Sequence, residues 1–326
     1  MRAIRCVNYG EPSALTVETL AEPVPAEGEV LVKVEASGLG YVDALFVKGT
    51  YQVKMPLPFV PGSEIAGTIE AVGEGVPGDL IGNRVMALSF KGALAEKVVL
   101  PASLCTTIPD EMSAEAAAGF LVSYATALYG LETCGHLQAG ETVLVLGAAG
   151  GVGMAAIDVA KAMGARVIAA ASTIEKRAAA LAHGADMVVD YTDSEWRKVL
   201  DGLVEKRGVN VVYDPVGGAY SETAFRCLAP GGRHLVVGFA NGEIPKLPLN
   251  LALLKRASLV GVDWGGEMRA NPKVMGPLLK QLLEWVVAEK VHPEPTASFP
   301  LEEAGAVLQR LLERKMIGKP VIRVSE

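Results

Sequence analysis

The apolar run Val143-Leu144-Val145-Leu146 leads straight into Gly147-Ala148-Ala149-Gly150-Gly151-Val152-Gly153, and a helical pattern begins there. The spacing Ala148-x-Gly150-x-x-Gly153 follows the dinucleotide fingerprint, with alanine in the first glycine position. Small residues at these positions let the backbone approach a pyrophosphate. Its charge then rests on the N–H groups that open the next helix. A glycine cluster alone would be an ordinary turn. The strand before, the helix after and a second strand about twenty residues on supply the setting this chemistry needs. Ala148, Gly150, Gly151 and Val152 are the residues offered to the phosphates.

The end of the second strand selects the nicotinamide cofactor. An NAD site places Asp or Glu there for the ribose 2′-hydroxyl. This chain has Ala170-Ala171-Ser172-Thr173, followed by Glu175, Lys176 and Arg177. Ser172 with the two cations suits a 2′-phosphate, because charge-assisted hydrogen bonds need donors and no competing carboxylate. The expected cofactor is therefore NADPH, with Glu175 the one residue opposing it. A purely structural reading makes Ser172 and Glu175 a capping box and leaves Lys176 and Arg177 on a solvated helix face.

The rest of the chain must position these groups. Its 326 residues are 50% hydrophobic and 21% charged, a globular composition long enough for two domains. The net charge of −7 and the lack of a basic stripe argue against nucleic acid as a partner. The start of the chain has no signal-peptide pattern, and the most apolar stretch, Thr142 to Ile157, is too short and glycine-rich to span a membrane. Four scattered cysteines without CxxC spacing fit a reduced, cytoplasmic protein. Residues 1 to about 120 read as β-rich, with strands at Glu29–Glu35 and Ile65–Val72 between Gly/Pro turns. After an alanine-rich helix, strands are expected at Thr142–Leu146, Arg166–Ala170, Met187–Val189, Val209–Tyr213, His234–Val237 and Ser258–Val262. Helices are expected at Val152–Met163 and Ile174–His183, so the fold class is α/β with a doubly wound parallel sheet. A helix over roughly Lys273 to Lys290, another over Pro300 to Arg314 and a strand Pro320 to Val324 break this rhythm and are expected to return to the first domain.

The chain resembles the medium-chain dehydrogenases/reductases, in their quinone oxidoreductase (zeta-crystallin-like) branch. The resemblance spans nearly the whole chain. Besides the glycine turn, it rests on Leu57-Pro58-Phe59-Val60-Pro61-Gly62-Ser63-Glu64, Gly184-Ala185-Asp186, Asp214-Pro215-Val216-Gly217-Gly218, Val237-Gly238-Phe239 and Ile317-Gly318-Lys319. It implies a GroES-like catalytic domain from residues 1–122 and 265–326, a Rossmann domain from 123–264, and an active cleft at their junction. It also implies a homodimer paired through the last Rossmann strand, near Leu259–Val262. Zinc relatives bind their catalytic metal through a Cys near Gly40 and a His-Glu pair that this chain replaces with Ser63-Glu64. Neither position offers a soft or imidazole ligand, so no metal is expected.

Without a Lewis acid, the implied chemistry is reduction. Hydride goes to an electrophilic carbon of a small molecule, and quinones and α,β-unsaturated carbonyls fit because the charge delocalises onto oxygen. Candidate catalytic residues are Tyr41, Asp43 and Tyr51, with Gly40 where the family pattern has Asn. Asp43 is also read as a hydrogen-bond anchor, and the tyrosines as packing residues with wet hydroxyls. By resemblance, Thr126, Gly238, Phe239 and Asn241 border the nicotinamide, Tyr191 approaches the adenosine phosphate, and Val262, Asp263 and Lys319 complete the cofactor set. Two alternatives stay open. One is an acryloyl- or enoyl-CoA-type reductase, with Lys48, Lys54 and Lys91 available to a phosphorylated tail. The other is a non-catalytic NADPH-binding protein.

Overall fold

A computed structural model describes residues 1–89 and 91–325. The chain forms two compact units, Met1–Val122 with Pro293–Glu326, and Ser123–His292.

The first unit opens with a small antiparallel pair, β1 (Arg2–Ile4) and β2 (Val17–Thr19). Its main strands are β3 (Glu29–Gly38), β4 (Glu64–Val72), β5 (Arg84–Leu88), β6 (Lys97–Pro101) and β7 (Cys105–Thr107), with α1 (Tyr41–Lys48) and α2 (Ala114–Ala118) between or after them. The C-terminal residues add β14 (Ala297–Pro300), α11 (Ala304–Leu312) and β15 (Pro320–Arg323). The sheet order is β14-β15-β3-β4-β5-β7, with β6 also on β3. Val321 of β15 pairs with Gly38 of β3, so the end of the chain completes a sheet begun near its start. Alternating apolar residues of these strands (Val32, Val34, Ile65, Ile69) meet Val307 and Leu308 of α11 in one core.

The chain passes into the second unit within α3 (Leu121–Leu128), and that unit carries β8 (Thr142–Leu146), α4 (Gly151–Ala162), β9 (Arg166–Ala170), α5 (Ile174–Ala182), β10 (Met187–Val189) and α6 (Trp196–Leu203). Next come β11 (Val209–Asp214), α7 (Ala219–Arg226), β12 (Leu228–Val236), α8 (Asn250–Lys255), β13 (Ser258–Gly261), α9 (Trp264–Ala270) and α10 (Met275–Val287). The six strands are all parallel, in the order β10-β9-β8-β11-β12-β13. The order reverses between β8 and β11, the switch point where such sheets bind ligands.

The expected strands are present to within a residue at most ends, but β12 starts six residues earlier than expected, at Leu228 rather than His234. The alanine-rich helix is broken at Gly119 into α2 and α3. The segment 265–292, expected in the first unit, belongs to the second. Three apolar residues of α10 (Leu278, Leu279, Leu282) are buried, Gln281 bonds Glu132 at 2.9 Å, and the N–H of His292 bonds Asp158 at 3.0 Å. A helix's apolar stripe follows the core that buries it, and the break in strand–helix rhythm says nothing about which core that is.

One buried carboxylate organises the β11–β12 end of the sheet. Asp214 accepts the N–H groups of Val216 and Gly217 at 2.9 and 2.8 Å, the Ser221 hydroxyl at 2.5 Å, and a contact from His234 Nε2 at 3.0 Å. Burial pushes its pKa up, but His234, the Gly217 N–H and the Ser221 hydroxyl together outweigh burial and leave it below the ordinary value. A depressed carboxylate contributes stability above its unfolded pKa and loses it as pH falls through the folded value. Asp214→Asn is therefore expected to cost ~1–3 kcal/mol at neutral pH. That cost should shrink as pH drops below about 4, measured by urea unfolding across pH.

Candidate active site

In the second unit, the candidate segments other than Thr126 follow the carboxyl ends of parallel strands, so they lie along one edge of the sheet. Gly147 follows β8 in the left-handed region (φ 57°), and a side chain there would strike Val216 Cγ2 at 2.7 Å. At Gly153 an added Cβ would come within 2.4 Å of the Gly147 carbonyl oxygen and 2.8 Å of Ala148 Cα. The turn and the first turn of α4 thus touch backbone to backbone. Gly150 caps α4 in extended conformation, and the first helical bond runs from Met154 N–H to the Gly150 carbonyl at 2.8 Å. The N–H groups of Gly151 and Val152 precede that bond and so have no partner within the helix. A Cβ at Gly150 would meet only the Gly147 oxygen, at 3.4 Å, which leaves a cradle with donors and no side chain. These are the features a pyrophosphate requires.

The β9 end differs from the capping box read in the sequence. Thr173, not Ser172, is the N-cap of α5, and its hydroxyl accepts the Lys176 N–H at 3.2 Å. The helix starts one residue later than that reading requires, and Ser172 stands outside the cap. Arg177 turns back on the strand end, donating to the Ala171 carbonyl at 3.1 Å and pairing with Asp190 at 2.7 Å. No local pattern in the sequence singles out Asp190, because it follows β10 and only the parallel pairing of β9 with β10 brings it to Arg177. Tyr191 packs its ring on Tyr220 with centroids 4.4 Å apart. Thr126 lies half-buried on α3. Beyond β12, the side chain of Asn241 fills the space over Gly218, and Phe239 lies against Gly217. Gly238 follows with its N–H 3.3 Å from the Asp214 carbonyl. Val262 is buried against Gly130, and Asp263 caps α9 through the Gly266 N–H at 2.8 Å.

The first unit gathers a second set. Asp43, in the first turn of α1, is 3% exposed. It accepts the Gly40 N–H at 2.7 Å and the Ser63 hydroxyl at 2.5 Å. Beside it Glu64, 1% exposed, accepts the Val122 N–H at 2.8 Å and pairs with the ammonium of Lys319. Burial raises the pKa of both carboxyls, and Lys319 opposes the rise in both cases. Asp43 thus works as a hydrogen-bond anchor, holding the β3–α1 corner to Ser63. Tyr41 opens α1 and is half-buried, while Tyr51 packs edge-on against Phe46 at 4.9 Å. Tyr9 holds this loop as well, bonding the Met55 carbonyl at 2.5 Å. Glu64 and Ser63 enter the sequence reading only as family markers, and no spacing could pair Glu64 with a lysine 255 residues away. Among the described residues, no group of three or more His, Cys, Asp or Glu could hold a metal ion.

Two family models match the chain. One is the alcohol dehydrogenase GroES-like domain over residues 26–110, and the other is the zinc-binding dehydrogenase over residues 151–281. The quinone oxidoreductase-like protein 2 homolog of Nematostella vectensis is 36% identical over 100% of this chain and 89% of its own length. Human quinone oxidoreductase is 33% identical over 96% of this chain and 94% of its own. Among solved structures, the quinone oxidoreductase of Thermus thermophilus, described with its NADPH complex, superposes with a TM-score of 0.85 at 35% identity, covering 99% of this chain and 100% of that one. The chain belongs to the medium-chain dehydrogenase/reductase family of oxidoreductases, among the quinone oxidoreductase-like members.

The raised Asp43 pKa has a consequence for stability. A carboxyl raised by burial costs nothing while both states are protonated, and it weakens the fold as pH climbs from the unfolded to the folded value. The isosteric Asp43→Asn removes that loss. Its stability relative to wild type is expected to improve between pH ~4 and ~7, read as the difference in thermal midpoints. A difference that does not change with pH would contradict the assignment.

Proposed function

We propose that the protein is an NADPH-dependent reductase of quinones or α,β-unsaturated carbonyl compounds, working without zinc. The observation that carries this reading is the β9 end. Its residues are Ala171, Ser172 and the cap Thr173, with Lys176 next to them and the nearby acid Asp190 already engaged by Arg177. A 2′-phosphate finds donors there, with Asp190 held by Arg177 and Glu175 the one acid in the first turn of α5. The complex of the Thermus relative with NADPH supports the same cofactor.

The fit extends along the cofactor. The open cradle at Gly150 and the first N–H groups of α4 would hold the pyrophosphate. Ser172, Lys176 and Tyr191 would take the phosphate end. Thr126, Gly238, Phe239, Asn241, Val262 and Asp263 would line the nicotinamide end. When bound, reduced nicotinamide supplies hydride. Gly40 and Ser63 stand where zinc relatives place metal ligands, so the substrate oxygen must be met by protein donors. Tyr41 and Tyr51 are the candidate donors of the first unit, and Asp43 fixes the corner from which Tyr41 projects.

We further read the molecule as a homodimer. Strand β13 ends the sheet, and Leu259 on it and Leu249, Leu253 and Leu254 near it are 53%, 84%, 77% and 71% exposed. Pairing with the same edge of a second copy covers both the strand and these side chains. The reduced cytoplasm suits its four free cysteines.

Purified protein is expected to oxidise NADPH in the presence of a naphthoquinone or a 2-alkenal, in chelator-treated buffer. Binding of NADPH with no consumption across quinones, alkenals and enoyl-CoA thioesters would leave only a binding protein. Lys176→Ala should lower the preference for NADPH over NADH by roughly tenfold or more, the worth of a charge-assisted bond. An unchanged ratio of the two Kd values would remove Lys176 from the phosphate site.

A further inference from the structure

Hydride addition leaves a negative charge on the substrate oxygen, and the first unit holds the Lys319 cation within contact distance of the place a Cβ on Gly40 would take. The stem of Lys319 lies over Gly119, where an added Cβ would be 3.1 Å from Lys319 Cγ, and its Nζ is tied to Glu64. The Lys319 side chain keeps 12% of its surface accessible. Gly40 has extended backbone (φ −123°, ψ 168°) that any residue adopts. A Cβ there would meet only Asp43 Oδ2 at 3.5 Å and Lys319 Nζ at 3.7 Å, both ordinary contacts. The backbone therefore does not demand glycine at this position. Glycine leaves out a side chain whose Cβ would touch the Lys319 ammonium.

An ammonium has three N–H donors, and the Glu64 oxygen takes one. Asp43 and Lys319 are the charged groups at the Gly40 position, and Glu64 pairs with Lys319 behind them.

We propose that the Lys319 ammonium, through the space left by Gly40, binds the substrate's carbonyl oxygen and holds the oxyanion formed there. This rests on the reductase reading and gives Lys319 a role towards the substrate in place of the cofactor. The substrate accepts a hydride at its electrophilic carbon, where a C–H bond forms. The π electrons shift to the carbonyl oxygen, the substrate gains two electrons and the nicotinamide loses two. A proton from water then completes the product, and Lys319 keeps its own protons. Donors aimed at developing charge in a dry site stabilise the transition state more than the ground state.

The test uses 4-nitrophenol, whose ionised oxygen imitates the oxyanion and whose colour reports ionisation. It is titrated into protein loaded with NADP⁺. Wild type is expected to bind the phenolate roughly tenfold or more tighter than Lys319→Met combined with Glu64→Gln, a pair of changes that leaves no unpaired buried charge. The bound probe should ionise at lower pH than the free one. Gly40→Val, which fills the gap and leaves the ion pair intact, should abolish both effects while thermal midpoint and NADPH affinity hold. Equal phenolate affinity in wild type and Gly40→Val, or no change in ionisation on binding, would overturn the proposal. Failure of wild type to oxidise NADPH with any electrophile would refute the reductase reading alone, because the phenolate titration needs no turnover.

Discussion

Glu64 is a carboxyl whose charged form burial disfavours, on a strand inside the first unit, and the chain supplies it with partners. Its two oxygens are met by the Val122 N–H and by Lys319, which sits one residue before the final strand. Leaving such a carboxylate without its cation would cost ~3–5 kcal/mol. This demand draws the C-terminal segment into a sheet that the N-terminal residues begin, where β15 lies against β3. The same ion pair brings Lys319 beside Gly40 and, with Asp43 bonded to Ser63, shapes the corner that opens α1. One electrostatic requirement thus closes the unit and furnishes its candidate site.

The second unit solves a different problem, the approach of a charged ligand to bare backbone. The contact of Gly153 with the Gly147 carbonyl lets α4 begin directly under the turn, and Gly150 leaves the helix N–H groups accessible. Asp214 holds the neighbouring 215–218 turn through hydrogen bonds, and Val216 of that turn packs over Gly147. The turn after one strand is thereby braced by a carboxylate on the next. Parallel pairing puts the ends of all six strands on one edge, so segments far apart in sequence come together there.

Local features of this architecture can be read from the residues. The strand–turn–helix at Leu146–Gly153 and the boundaries of β8, β9 and β10 follow from apolar runs and glycine punctuation, which act over a few residues. Features set by distant partners cannot. Sequence rhythm assigns the segment 265–292 to the wrong unit because the residues that bury it, around Glu132 and Asp158, are remote in sequence. Thr173 takes the cap that the Ser172-x-x-Glu175 pattern gives to Ser172, because a short hydroxyl one residue on reaches the Lys176 N–H. Asp190 reaches Arg177 through sheet pairing, and Glu64 reaches Lys319 through the closure of the first unit. The Gly40 departure is visible in the sequence, but its meaning needs the position of the lysine ammonium.

The proposed reaction is direct hydride transfer from NADPH to an electrophilic carbon with no catalytic metal. The most direct measurement is mass analysis of the product formed by metal-stripped protein from NADPH deuterated at nicotinamide C4. One deuterium is expected on the carbon that accepts hydride, with product formed as fast as before metal removal. Activity that vanishes on stripping and returns only with added zinc would contradict it.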